Sequence, residues 1–355
     1  MKSADFRAIT ADPLNGSPTP DALIRAPITP AELFFVRNHG AVPEPGAEPW
    51  NVRVHGKVGR ALDLKLEDFR KFPRVTVEST LQCAGNRRTG LERVRHIENE
   101  LAWGSEAIGT AKWEGVQLSV LLDLAQAHFG GNHVWFLGAD KPAGKITAVG
   151  FGGSIPIDKA MHADTIVADT MNGAPLPAEH GAPIRVIVPG YIGARSVKWL
   201  RDIRIEIEPS PNHYHAAYSF IPGPDAHPLM ETRVLDEFPL SSAFANPIDG
   251  ATVPAGRVTV RGWAIAGGER TVSRVEVSTS RGASWATARF TSPAKRYVWR
   301  LWEADVTLPP GEQELICRAT DNRADTQPDG MAAIWNAKGY VNNCWDRIRI
   351  TAIGD

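Results

Sequence analysis

The chain has 355 residues, 43% hydrophobic and 22% charged, with 39 Lys+Arg against 40 Asp+Glu for a formal net charge of −1. At about 150 residues per domain there is room for roughly two domains with sizeable cores. The balanced charge argues against a nucleic-acid-binding or polybasic membrane protein while allowing a local basic pocket.

Residues 1–33 carry Pro13, Pro18, Pro20, Pro27 and Pro30 and read as an extended arm with little regular structure. The first ten residues show no apolar core, paired arginines or cleavage pattern, and no apolar run reaches the roughly 18–20 residues of a membrane helix. The three cysteines, Cys83, Cys317 and Cys344, are too sparse for a disulfide framework, which implies a reducing compartment. A soluble cytoplasmic protein with no membrane or nucleic-acid partner is expected.

A second region, residues 34–236, mixes strand-like runs (Val52–Val54, Val75–Ser79, Val134–Leu137, Ile184–Val188, Ile203–Ile207) with helix-like ones (Leu66–Lys71, Leu118–His128). No GxGxxG opens a helix after a strand and no GxxxxGK[ST] occurs, so an α+β layered fold is expected rather than a dinucleotide or P-loop fold. The stretch Pro209–Pro239, rich in Pro and His, reads as a linker or ordered crossover. Over residues 237–355 the texture turns to β: Val258–Trp263, Val275–Thr279, Trp285–Phe290, Trp299–Val306, Glu314–Ala319 and Asp346–Ile350, separated by Gly and Pro signals. This spacing predicts an all-β immunoglobulin-like sandwich. Trp263, Trp299, Trp302 and Cys317 read as its core or interface.

The densest chemistry is Leu81-Gln82-Cys83-Ala84-Gly85-Asn86-Arg87-Arg88, a thiol beside two guanidiniums after a strand. Neighbouring positive charge favours the thiolate, which is both nucleophile and metal ligand. Three readings compete. A lone cysteine is most often a buried structural residue. A Cys–His hydrolase needs a base and an orienter that the local sequence does not supply. A single thiolate on a soft, cofactor-borne metal needs anion-handling arginines and a large polar site elsewhere.

The string LQCAGNRR resembles the molybdenum-ligand motif of the sulfite oxidase family of molybdopterin enzymes. Further segments resemble the same family in the same order: Phe34–His39, Trp103–Trp113, Met171–Gly173 with His180–Val186, Val188–Leu200, and Trp335-Asn336 with Val341–Trp345. The likeness runs from Phe34 to the end. It implies a molybdopterin-binding catalytic domain of sulfite oxidase type followed by an immunoglobulin-like dimerisation domain, and a homodimer. It assigns Cys83 as the protein ligand to molybdenum, and Phe35, Val36, Arg37, Asn38, His39, Asp140, His180, Arg185, Ser196, Val197 and Lys198 to the cofactor. The residue types suit these roles, because Arg and Lys neutralise a phosphate while Asp and His hydrogen-bond a pterin. Taken one at a time, these charged and imidazole side chains would read as ion pairs or structural histidines; it is their joint occurrence that favours a site.

The resemblance further implies a substrate cup of Arg37, Arg88, Trp103, a tyrosine matched by Tyr218 with Tyr214 nearby, and a basic residue at Lys338. Members of the family that oxidise sulfite place arginine at this last position. Lysine keeps the charge and loses the planar fork. The implied activity is oxidation of sulfite to sulfate by oxygen-atom transfer, with an external acceptor, a cytochrome c-like carrier or dioxygen, taking the electrons. No haem, flavin or NAD signature accompanies it. Reduction of nitrate or a sulfoxide on the same scaffold, and a non-catalytic cofactor-binding or adhesion-like protein, are the alternatives.

Overall fold

The computed structural model describes residues 2–44, 49–127, 131–142, 150–220, 223 and 232–354. Residues 1–33, expected as an extended arm, instead form an antiparallel hairpin of Phe6–Ala11 with Leu14–Pro18 and a helical turn at Pro20–Leu23. The prolines sit where they do no harm: Pro18 ends its strand and Pro20 opens the turn, where no amide donor is needed. Tertiary contacts supply the order that local sequence lacks. Gly16 and Val36 exchange backbone hydrogen bonds, and Trp299 Nε1 donates to Pro27 O at 2.8 Å.

The α+β region contains two sheets. One runs in the order Gly152–Pro156, His133–Gly138, Leu200–Glu206, Asn51–Gly56, Leu62–Lys65, with Leu200–Glu206 and Asn51–Gly56 parallel. The other orders Ala174–Pro175, Ile166–Met171, Ile108–Gln117 and Arg74–Gln82, with Arg185–Ile187 also paired to Ile166–Met171. Val52, Val54, Phe136 and Ile203 from the first sheet meet Val116, Val167 and Val186 from the second in one core. The helices Leu118–Leu124 and Ile157–Met161 add Leu118, Leu121, Leu122 and Ala160 to it. The helix read as Leu118–His128 ends at Leu124; His128 lies outside the described residues.

The strand Ile108–Gln117 escapes pattern reading because Gly109 and Gly115 interrupt it. Both glycines are steric necessities: a Cβ at Gly115 would stand 2.0 Å from Val167 O, and one at Gly109 2.9 Å from the Phe34 ring. That close approach brings the segment after Phe34 against the strand next to Cys83.

Beyond residue 236 two sheets face each other. Ser241–Asn246, Gly256–Ile265, Arg300–Leu308 and Arg289–Phe290 form one; Thr252–Pro254, Asp346–Ile353, Gly311–Asp321, Val272–Ser278 and Ala286–Thr287 form the other. Val260, Ala264, Trp302 and Val306 from the first pack on Val275, Val277, Leu315, Cys317 and Ile348 from the second. The run read as one strand at Trp285–Phe290 is two short pieces on different sheets. A separate apolar cluster joins the two regions, with Leu23, Ala84, Ile108, Ile192 and Tyr218 meeting Trp263, Trp299 and Tyr340. The described part of the Pro209–Pro239 stretch includes the helix His213–Ala217 and a pairing of Ser219–Phe220 with Arg233–Val234.

Candidate active site

The strand Arg74–Gln82 delivers Cys83 to the start of a tight turn. Cys83 N donates to Ala107 O at 2.9 Å, Asn86 N to Cys83 O at 3.0 Å and Arg88 N to Gly85 O at 3.1 Å. Arg87 adopts φ of 64°, in the left-handed region. This separates the two arginines that the sequence places side by side. Arg87 leaves the thiol and reaches the second region, meeting Asp346 at 2.9 Å and donating to Cys344 O at 2.9 Å. Arg88 alone of the pair acts on the thiol, and its guanidinium lies so close over Gly85 that a Cβ there would stand 2.6 Å from Nη2. The expectation that adjacent guanidiniums favour the thiolate needs correction for the protein by itself. Burial pushes the Cys83 thiol up, and the opposing pull of Arg88, Arg37 and the Gly85 amide does not overcome it.

Cys83 opens onto a cleft with about 720 Å³ of non-atom space, its open mouth included. Phe35, Val36, Arg37, Asn38, His39, Asp140, His180, Arg185, Ser196, Lys198 and Tyr218 line it together with Cys83. Val197 does not: it packs in the sheet-to-sheet core, where its carbonyl accepts from Val186 N. The N-terminal hairpin shapes the wall, since Asn15 Oδ1 accepts from Asn38 N at 2.7 Å and Asn38 Nδ2 donates to Leu14 O at 3.1 Å.

The cations at this end of the cleft are buried and short of counterions. Arg185 is 4% exposed and donates only to carbonyls, His180 O and Ser196 O at 2.8 Å each and Val186 O at 3.4 Å. Desolvation pulls its guanidinium down to about 9. Lys198 donates to Glu179 O at 3.0 Å, Arg37 O at 3.2 Å and the Asn38 side chain, and burial holds its amine well below the usual lysine range. Among the described residues neither has a carboxylate within ion-pair distance, and neither does Arg37. Asp140 lies near Lys198, but its own carboxyl is raised by burial and its Oδ1 accepts from Phe151 N at 3.1 Å. Burial and neighbouring positive charge keep His39 and His180 well below the usual imidazole range, hence neutral. Uncompensated buried cations are costly, and a phosphate-bearing group is what this donor set fits.

At the thiol end the arrangement differs. Arg88 is fully engaged: Nη1 donates to Leu101 O at 2.7 Å, Nε to Lys338 O at 3.0 Å, and Nη2 lies 3.3 Å from Glu100 Oε2. Glu100 Oε1 also takes the Lys338 ammonium, at 3.6 Å. The Lys338 side chain is 51% exposed, and neither it nor Arg88 nor Trp103 is among the cavity's lining residues, so of the expected cup Arg37 and Tyr218 are the members that line it. Tyr218, rather than Tyr214, faces the thiol. Its hydroxyl is 3.4 Å from His39 Nε2, its ring stacks on Tyr340 at 5.4 Å, and burial raises the phenol, so it stays a donor. Tyr214 stacks on Phe151 at 4.8 Å and tilts against His39. Trp103 is buried in the cluster of Phe34, Phe35 and Leu81 that Cys83 packs against, with Nε1 unpartnered among the described residues.

Four contributors were not read from the sequence. Glu100 and Tyr340 lie in segments with no chemical pattern of their own. Phe151 follows a stretch outside the described residues. Lys2 reaches the cleft from the far N-terminus, and nothing in its neighbourhood signals it.

The family description "Oxidoreductase molybdopterin binding domain" matches residues 39–214, and "Mo-co oxidoreductase dimerisation domain" matches residues 232–353. Sulfite oxidase of Gallus gallus is 40% identical over 96% of this chain and 77% of its own length. Mitochondrial sulfite oxidase of Mus musculus is 38% identical over 96% of this chain, which spans 64% of that relative's length. Among solved structures, the sulfane dehydrogenase SoxCD of Paracoccus pantotrophus superposes with a TM-score of 0.83 at 25% identity, over 99% of this chain and 90% of that one. No described helix is long and apolar enough to cross a membrane.

Proposed function

Because the chain belongs to the sulfite oxidase family, we propose that it is a molybdenum-dependent oxidoreductase that oxidises sulfite to sulfate. One observation supports this above the others: a single cleft holds a free thiol at one end and buried cations without carboxylate partners at the other. Arg185 and Lys198 would hold the phosphate of molybdopterin, Asp140 and His180 its pterin, and Cys83 would give its sulfur to the metal. The bound molybdenum centre would supply two-electron oxygen-atom chemistry, leaving binding, orientation and electrostatics to the protein. Arg37 and Arg88 would hold the dianion near the thiol. Tyr218 would offer its O–H there, with the neutral His39 ring beside it able to accept the same proton.

The second region would be an immunoglobulin-like sandwich that pairs two copies of the chain. A cytochrome c-like carrier or dioxygen would accept the electrons. A cytoplasmic location belongs to the same proposal, although the mouse relative is named as mitochondrial; cell fractionation decides it.

The purified protein should carry about one molybdenum per chain by elemental mass spectrometry and reduce ferricyanide or cytochrome c only when sulfite is added. Protein without molybdenum would return the reading to a non-catalytic cofactor-site relative. Molybdenum with viologen-dependent nitrate reduction but no sulfite turnover would favour the oxygen-atom reductase.

A further inference from the structure

Lys2 lies outside the segment matched by the molybdopterin-binding family, which begins at residue 39. Its ammonium is nonetheless drawn into the wall of the cleft. Nζ donates to Ala31 O at 2.9 Å and Phe34 O at 3.0 Å, touches His180 Nε2 at 2.9 Å, and pairs with Glu179 at 3.4 Å. The side chain is 13% exposed. It therefore ties together the two cleft-lining stretches Phe34–His39 and Glu179–His180.

The hydrogen-bond inventory makes this contact directional. An ammonium has three N–H donors and no acceptor, and Ala31 O, Phe34 O, Glu179 and His180 Nε2 share them. A donating Lys2 requires Nε2 of His180 to accept. His180 is neutral, since burial and the cations Lys2, Lys198 and Arg185 disfavour its protonation, so its one proton sits on Nδ1. Among the described residues Nδ1 makes no hydrogen bond, and His180 lines the cleft. Ala31 O lies 3.2 Å from Nε2 and would accept from it if Lys2 were absent. Removing the lysine thus lets the proton move to Nε2 and leaves a bare lone pair on Nδ1.

We propose that Lys2 is a positioning residue for the cofactor: it fixes the tautomer of His180 so that Nδ1–H is offered to an acceptor atom of the bound molybdopterin. The inference rests on the reading of this cleft as a molybdopterin site. Acting through His180, Lys2 would explain why a lysine is kept buried at the edge of an already cationic cleft.

The test uses holoenzyme labelled with 15N-histidine, with His180 assigned by its loss in His180→Gln. Long-range proton–nitrogen spectra should show His180 protonated on Nδ1 in the wild type and in Lys2→Arg, and on Nε2 in Lys2→Met. Molybdenum per chain after extended dialysis should fall about tenfold in Lys2→Met relative to both. A wild-type His180 protonated on Nε2, or a tautomer that Lys2→Met leaves in place, overturns the inference. So does a switched tautomer with undiminished molybdenum, which would make Lys2 a structural strut. Wild-type protein that holds no molybdenum overturns the cofactor reading and the inference with it, an outcome distinct from the others.

Discussion

The two ends of the cleft handle positive charge in opposite ways. Among the described residues Arg185 and Lys198 meet only carbonyls and an amide side chain, and burial depresses both, while the one carboxylate paired at this end, Glu179, is taken by Lys2. Around Arg88 a carboxylate is built in, with Glu100 shared between Arg88 and Lys338. A resident phosphate can supply the missing charge once and keep it, so unpaired cations are tolerable where a cofactor stays. A substrate that comes and goes leaves its cup empty in every cycle, and a buried guanidinium there needs a standing partner. On the proposed reading, Glu100 stands in for the anion at Arg88 between turnovers, whereas Arg185 and Lys198 wait for a phosphate that stays.

The largest effect should come from the group at the junction of the two ends. Cys83→Ser is expected to abolish sulfite turnover, at least a thousandfold, while the protein stays folded. A hydroxyl is a harder and far less readily ionised ligand than a thiol. Wild-type turnover with bound molybdenum in this variant would remove Cys83 from the metal. Next in size is a cut at the cofactor end. Lys198→Met deletes a charged donor worth about 1.5–3 kcal/mol to a phosphate, so molybdenum retained per chain should fall about ten- to a hundredfold. Undiminished metal content would mean that the unpaired cations do not face the phosphate.

At the other end a substitution should strengthen binding. Glu100→Gln keeps an acceptor for Arg88 and removes a negative charge beside the anion cup. Sulfate inhibition should tighten about fivefold at fixed ionic strength. Weaker sulfate inhibition would instead show that Glu100 acts mainly by holding Arg88 in place.

What could be read in advance divides along physical lines. Runs with apolar alternation, such as Val52–Val54 in Asn51–Gly56 and Ile203–Ile205 in Leu200–Glu206, announce themselves. Ile108–Gln117 does not, because its glycines answer to the Phe34 ring and the Val167 carbonyl, neighbours that only the tertiary fold supplies. The same holds within the site. The motif around Cys83 set both arginines beside the thiol, but the left-handed backbone of Arg87 sends that side chain to Asp346 instead. Ten of the eleven residues assigned to the cofactor by resemblance line the cleft, the exception being Val197, whose side chain is turned into the core. Glu100 and Lys2 carry no local pattern at all, since each matters through a partner distant in sequence.

The smallest expected effect is at Lys338, and it separates two accounts of the substrate end. If the lysine were a fourth wall of the anion cup, losing its charge would cost one charge-assisted hydrogen bond, on the order of ten- to a hundredfold in kcat/KM. The structure places its ammonium 3.6 Å from Glu100, on a side chain 51% exposed. A pair this open to water is worth about 0–1 kcal/mol. Lys338→Met should therefore change the KM for sulfite by less than about threefold, and Lys338→Arg by less still. The backbone carbonyl of Lys338 accepts from Arg88 Nε in either variant, so the Arg88 guanidinium keeps its orientation. Steady-state kinetics with sulfite, repeated with sulfate as inhibitor, measure both quantities on one preparation. A tenfold or larger rise in KM for Lys338→Met, with Lys338→Arg near wild type, would show that the lysine leaves Glu100 when the anion arrives. The contrast between unpaired Arg185 and Lys198 and a permanently paired Arg88 would then fail on the Arg88 side.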